Sequence, residues 1–276
     1  MQIIFAILAG IIQGITEFLP ISSSGHLIIF HDIFHFNLPD NLLFDVGLHW
    51  GTLLALLIFF YKDLEKIIRG FFSSLLNWNL ANNFNQRLSW LVIIGSIPAA
   101  IVGFLFDKFI SDYLHRGVLA GYVTAIALIV VAVLFWVAEK YAVKRLEIGQ
   151  ITKKDSLIMG LAQAIALIPG VSRSGITIIA GLSRKIKRED AARFSFLLSM
   201  PVVFGAGVKQ LMDINDFSAV DWGLMAIGMT TAVIVGYLTI KYFLKYIGNH
   251  SLNVFAWYRL AVGGLMLVWL LLASGR

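Results

Sequence analysis

The chain has no cysteine. Disulfide bridges, zinc–thiolate sites and thiol nucleophiles are therefore excluded, and cysteine usage says nothing about redox compartment. Charge is scarce as well. Only 14% of the 276 residues are Asp, Glu, Lys or Arg, where a soluble domain carries roughly a quarter. That shortage, with several apolar stretches of about 18 residues or more, excludes an ordinary soluble fold, because each stretch is long enough to cross a bilayer as a helix. What charge there is leans basic, with 22 Lys and Arg against 16 Asp and Glu. In a chain 59% hydrophobic, that excess belongs to loops at a membrane surface rather than to a nucleic-acid interface. The start, Met1-Gln2-Ile3-Ile4, lacks the basic lead of a signal peptide. The apolar run that follows is expected to belong to the mature protein.

Six long apolar segments read as spanning helices: 44–61, 90–106, 118–138, 194–210, 223–240 and 254–273. Two further regions, 3–36 and 157–181, are broken in the middle by Pro20-Ile21-Ser22-Ser23-Ser24-Gly25 and by Pro169-Gly170-Val171-Ser172-Arg173-Ser174-Gly175. Each reads as two short helices meeting at a polar elbow. The two regions also repeat each other. Slid by 150 positions, Gly10, Gln13, Ile15, Ser22, Ser24, Gly25, Ile28 and Ile29 all meet their own residue type, and at a shift of 133 Gly95 and Gly103 meet Gly228 and Gly236. The Gln, the Ser-x-Ser-Gly and the constant offset carry the argument for an internal duplication, about 1–140 and 150–276, within one membrane domain.

Parity then sets the geometry. If each broken region re-enters on its own side, each half contributes three spans, and the halves are inverted repeats whose elbows face each other near the midplane. The fold class is all-α: six transmembrane helices plus two re-entrant helical hairpins. Loop charge agrees. Segments 62–89, 139–156, 181–193 and 241–253 fall on one side and hold sixteen basic residues, against Lys108, Arg116, Lys209 and Arg276 on the other. The positive-inside rule makes the first side cytoplasmic and puts both termini outside. Arg173 and Arg259 stay within segments.

A polar elbow inside a bilayer is tolerated only when it is buried in protein or lines a wet cavity. Both elbows are rich in Ser and Gly and lead into a short helix, whose free N–H groups suit an anion. The plainer alternative is that Ser22 and Ser172 are helix caps. The elbows differ where chemistry needs difference. The first has Glu17 and His26 where the second has Leu167 and Ile176, and the second has Arg173 where the first has Ser23. A guanidinium forks onto phosphate oxygens. Its plainer alternative is a structural pair with Glu17. Gln13 and Glu17, four apart, share a helix face and with phosphate oxygens could hold a divalent cation. Ser23 and His26, three apart, put a hydroxyl and a base on one face. His31, His35, His49, His115 and His250 read as boundary or loop residues.

The run Gln13-Gly14-Ile15-Thr16-Glu17-Phe18-Leu19-Pro20-Ile21-Ser22-Ser23-Ser24-Gly25-His26 resembles the first signature of the bacterial undecaprenyl-diphosphate phosphatase family, also called bacitracin-resistance protein. Pro169-Gly170-Val171-Ser172-Arg173-Ser174-Gly175-Ile176-Thr177 resembles its second signature, and Phe194-Ser195-Phe196-Leu197-Leu198-Ser199-Met200-Pro201 a third shared stretch. The resemblance implies hydrolysis of undecaprenyl diphosphate to the monophosphate and inorganic phosphate, which recycles the cell-wall lipid carrier and confers bacitracin resistance. It implies a divalent cation, magnesium or calcium, held by Glu17 and Gln13; many members carry Glu at the position of Gln13, which shifts weight to Glu17. By motif position Glu17, Ser23, His26 and Arg173 are catalytic, and Ser22, Ser24, Ser172, Ser174 and Thr177 line the diphosphate.

The expected partners are a prenyl diphosphate lipid and the surrounding membrane lipids, with no nucleic acid. Glycines such as Gly223, Gly228 and Gly236 permit close helix contact and so a homodimer. The expected site is an inner-membrane one open to the extracytoplasmic side. The rival reading is a lipid-carrier transporter or flippase, because inverted repeats with broken helices also build secondary transporters.

Overall fold

Backbone in hydrocarbon must satisfy its own polar groups, so the apolar runs become helices. The computed structural model describes residues 1–34, 41–106, 117–212 and 221–274. His35, Lys108, His115, Arg116 and Arg276, which entered the sequence reading, lie outside the described residues. In chain order the helices are α1 (Gln2–Thr16), α2 (Ser23–Phe34), α3 (Asn41–Phe59), α4 (Tyr61–Leu76), α5 (Phe84–Leu105) and α6 (Gly117–Tyr141). They continue as α7 (Lys153–Ile165), α8 (Arg173–Ser183), α9 (Arg188–Met212), α10 (Trp222–Asn249) and α11 (Asn253–Ser274). Among the described residues the only β pairing is an isolated bridge between Leu146 and Ile186. The chain is an all-helical, multi-pass membrane protein.

Five helices, α5, α6, α9, α10 and α11, are long and apolar enough to cross a bilayer alone. A sixth candidate crossing is the pair α3 and α4, apolar enough together and bent by 81° where they join. The sequence reading took 62–89 as a loop and missed α4, because α4 is amphipathic rather than uniformly apolar. Lys62, Lys66 and Arg69 share it with exposed Ile68, Phe72, Leu75 and Leu76. A helix of that pattern lies in the membrane interface. Its start is tied to α9 by Arg193, whose Nη2 donates to Asp63 Oδ2 at 2.6 Å.

The hairpins are α1–α2 and α7–α8, and each packs against the other half of the chain. Helix α1 runs along α10 and α7 along α5, while α6 pairs with α11. Both hairpin crossings are glycine on glycine. A methyl on Gly10 would lie 2.5 Å from the Gly228 carbonyl oxygen, and one on Gly160 would lie 2.1 Å from that of Gly95. Only Gly lets two backbones approach this closely. Gly228 and Gly236 are thereby occupied within the chain, Gly236 against Phe18 and Ala55. The argument for a homodimer therefore loses Gly228 and Gly236 and keeps Gly223, which is exposed.

Several basic residues at helix ends are tied down by hydrogen bonds. Arg188 forks onto Glu139 (2.7 and 2.6 Å), and Glu139 also accepts from the Leu252 N–H at 3.0 Å. Arg87 donates to the Gly149 carbonyl at 2.7 Å, and Arg184 to Asp155 at 2.6 Å. Lys187 donates to Glu147 at 2.6 Å, which holds the Glu147 carboxyl below the usual carboxylate range. These bonds join the ends of α6 and α8 and the starts of α5, α7, α9 and α11 into one polar collar.

Candidate active site

Each hairpin breaks the same way. Helix α1 stops at Thr16 and α7 at Ile165, and each chain end turns through the elbow before α2 or α8 begins. The serine opening each second helix has a left-handed backbone, Ser22 at φ 76° and Ser172 at φ 70°. Non-glycine residues held there cost on the order of 1–3 kcal/mol each, and such strain gathers at functional sites. Both serines also cap. Ser22 Oγ accepts from the Gly25 N–H at 3.4 Å and Ser172 Oγ from the Gly175 N–H at 3.2 Å. Each lies 3.3 Å from the hydroxyl two residues on, Ser24 or Ser174. The elbows touch directly, with the Ser174 hydroxyl donating to the Leu19 carbonyl at 3.3 Å.

Between them lies the Glu17 carboxylate, 9% exposed. Its Oε1 accepts from Arg173 Nη2 at 2.9 Å. Its Oε2 accepts from the Ser23 hydroxyl at 2.8 Å and from Gln13 Nε2 at 3.2 Å. Residues 156 positions apart thus meet at one carboxylate, and the plainer alternative for Arg173, a pair with Glu17, is part of the geometry. That pair leaves half the fork free. Arg173 Nη1 and Gln13 Oε1 are both buried and without a hydrogen-bond partner. One is a cationic donor and the other a neutral acceptor. A buried polar atom left unpaired costs about 1–3 kcal/mol; by chemistry the Arg173 N–H suits an anion and the Gln13 oxygen a cation or a donor.

His26 is held differently from the sequence expectation. Its Nδ1 lies 2.7 Å from the Ser22 carbonyl, which can only accept, so the ring proton sits there. Its Nε2 lies 2.7 Å from the Tyr258 hydroxyl, and the two rings stack at an interplanar angle of 7°. Both nitrogens are engaged away from Ser23, whose hydroxyl instead points at Glu17. Thr177 turns into the packing beside the site, donating to the Arg173 carbonyl at 2.7 Å and lying 2.6 Å from the Ser195 hydroxyl. Ser22, Ser24, Ser172 and Ser174 ring the two helix starts.

Three neighbours were missed from sequence. His49, a boundary residue by its sequence position, places Nε2 3.7 Å from Glu17 Oε2. Tyr258 holds His26, and Arg259 fills the space behind both elbows, 0% exposed. An ionisable side chain within an apolar span is a functional candidate by default, and that signal was present for His49 and Arg259. His31, also taken as a boundary residue, pairs with Asp45 at 3.0 Å.

The residues can be tested against a divalent cation. Among the described residues no three His, Asp or Glu side chains cluster as a ligand set. Glu17 with the unpartnered Gln13 oxygen nevertheless fits an ion that takes its remaining ligands from substrate phosphates, as magnesium commonly does.

Comparison with known proteins adds a family likeness. Residues 6–265 match the profile of the family described as bacitracin resistance protein BacA. The chain is similar to an undecaprenyl-diphosphatase of Thermomicrobium roseum, 41% identical over 268 residues, covering 95% of this chain and 96% of the relative. It is similar to one of Corynebacterium diphtheriae, 43% identical and covering 98% of this chain and 94% of the relative. A third, of Geotalea daltonii, is 41% identical with 98% and 99% covered.

Proposed function

Because this chain belongs to the bacitracin resistance protein BacA family, we propose that it is a membrane-embedded undecaprenyl-diphosphatase whose reaction runs at the Glu17–Ser23–Arg173 cluster. Hydrolysis is favoured over carriage of an intact lipid by the relatives, which are named for it. The observation that carries the assignment of residues is the Ser23 hydroxyl donating to Glu17 at 2.8 Å, with a free Arg173 N–H beside it.

The terminal phosphate binds where Arg173 Nη1 and the N–H groups opening α2 and α8 converge. Ser23 Oγ attacks the terminal phosphorus, and its proton passes to the Glu17 carboxylate. The phosphoanhydride bond breaks, and undecaprenyl phosphate leaves with the bridging oxygen. Water then attacks the phosphoserine, giving inorganic phosphate and restoring the hydroxyl. Glu17 takes the water's proton, and the proton it held returns to Ser23. Charge developing on the phosphoryl oxygens meets the Arg173 guanidinium and two helix dipoles. A bound magnesium or calcium ion, held by Glu17 and Gln13, would supply further neutralisation of phosphate charge. His26 takes no part in activating Ser23 in this scheme, and orders the elbow through Tyr258.

The two halves, about 1–140 and 150–276, are read as inverted repeats, supported by matched elbows and matched glycine crossings. The sixteen basic residues of segments 62–89, 139–156, 181–193 and 241–253 support a cytoplasmic face there and a site open to the extracytoplasmic side of a bacterial inner membrane. Partners are the lipid diphosphate and bilayer lipids; a homodimer would need a face other than Gly228 and Gly236.

The nucleophile is tested by rapid quenching with phosphate-labelled substrate. An acid-stable phosphoserine at Ser23 is the expected result. An acid-labile adduct would reassign attack to His26. A substantially active Ser23→Ala protein with no trapped label would reassign it to water.

A further inference from the structure

One buried cation has no role in that chemistry. Arg259, on α11, is 0% exposed, and among the described residues its hydrogen bonds all go to backbone carbonyls rather than to a carboxylate. Nη1 donates to the Pro20 carbonyl at 3.2 Å. Nη2 reaches the carbonyls of Gly170 at 2.7 Å, Val171 at 3.1 Å and Ala127 at 3.4 Å. Nε donates to the Leu128 carbonyl at 3.3 Å. The guanidinium also lies 6.0 Å from the centre of the Phe135 ring.

The positions of those carbonyls matter more than their number. Pro20 belongs to the first elbow, and Gly170 and Val171 to the second. Each elbow follows a half-helix whose C-terminal dipole end is negative. The other face of each elbow opens a helix N-terminus, which is positive and faces the phosphate site. The elbows are thus polarised, with a cation behind and an anion in front. In transporters built from broken helices, unwound carbonyls and half-helix C-termini hold an exchangeable cation. Here a side chain fixed to α11 fills that role.

We propose that Arg259 is a positioning residue for phosphoryl transfer. By bonding carbonyls of both elbows with one rigid fork, it sets Arg173 on the second elbow against Glu17 and Ser23 on the first. The adjacent Tyr258 fixes His26 from the same turn of helix. Arg259 does not touch substrate; it acts through the placement of Arg173. The inference rests on the phosphatase reading, and its test separates the two.

Arg259→Lys keeps the charge and loses the fork. In purified protein, phosphate release from undecaprenyl diphosphate is measured with kcat and KM resolved, alongside thermal unfolding. The expected result is a kcat lower by on the order of 10²-fold, the scale of an ångström-level misplacement, with KM and melting temperature little changed. Guanidinium ion added to Arg259→Gly should recover part of that kcat. A kcat at the parent's level in Arg259→Lys overturns the proposal. So does a loss of activity in Arg259→Lys and Arg259→Gln that only tracks loss of folded protein, since that makes Arg259 a folding residue. A parent protein that releases no phosphate would overturn the phosphatase reading instead.

Discussion

Gly160 offers a test of how tightly packing is coupled to chemistry. It stands where α7 crosses α5, twelve residues before Ser172 and thirteen before Arg173. A methyl at Gly160 would lie 2.1 Å from the Gly95 carbonyl oxygen, 2.9 Å from its carbonyl carbon and 3.0 Å from its Cα. All three are backbone atoms, so no side-chain rotation relieves the clash. Ordinary contact begins at 3.4 Å. Restoring it parts the helices by about 1 Å, and a displacement on that scale at a reacting centre costs on the order of 10²-fold in rate. The accompanying overpacking costs about 1–3 kcal/mol of stability. Gly160→Ala is therefore expected to lower kcat for phosphate release more than it raises KM, and to lower the melting temperature in detergent. Gly205→Ala on α9 is the control, since a methyl there meets nothing within 4 Å, and it should match the parent. A Gly160→Ala protein with the parent's kcat and melting temperature would refute the coupling of the α7–α5 crossing to the site.

Arg173→Lys should lose at least about 10²-fold in kcat/KM, because an ammonium cannot bond Glu17 and phosphate as one planar fork; near-normal hydrolysis would leave Arg173 a structural partner of Glu17. Glu17→Gln should lower kcat by roughly 10²–10⁴-fold, the range of general-base catalysis, and should steepen the metal requirement. Gln13→Glu should stay active; unchanged rate and metal dependence in Glu17→Gln would remove both the base and the metal assignment. Cysteines placed singly at Gly149 or Lys187 should resist an impermeant thiol reagent in intact cells, and ready labelling from outside would invert the proposed orientation.

The six spans and both hairpins were legible because a bilayer demands long apolar runs and makes any Pro-Ser-Gly break conspicuous. The meeting of Glu17 with Arg173 was legible in kind, since two facing elbows must bring their polar residues together. Helix α4 was not, because an interfacial helix advertises itself by period rather than by apolar length. The partner of Ser23 was also misjudged. Spacing along α2 put His26 on the same face, but spacing says nothing of χ angles, and the imidazole follows the Ser22 carbonyl and the Tyr258 hydroxyl instead. Glu17, six residues before Ser23, reaches it only because the elbow folds the chain back on itself. His49 and Tyr258 come from distant segments, and no short-range pattern links them to the motif.

The location of Tyr258 and Arg259 also governs timing. They sit on α11, which is synthesised after both elbows whose groups they secure. Until α11 enters the membrane beside α6, the carbonyls of Pro20 and Gly170 lack their shared donor. A chain lacking α11 holds Glu17, Ser23 and Arg173 but not the fork that bonds both elbows. On the proposed role of Arg259, hydrolysis depends on α11 being seated, so phosphate release doubles as a readout of whether α11 has docked against α6.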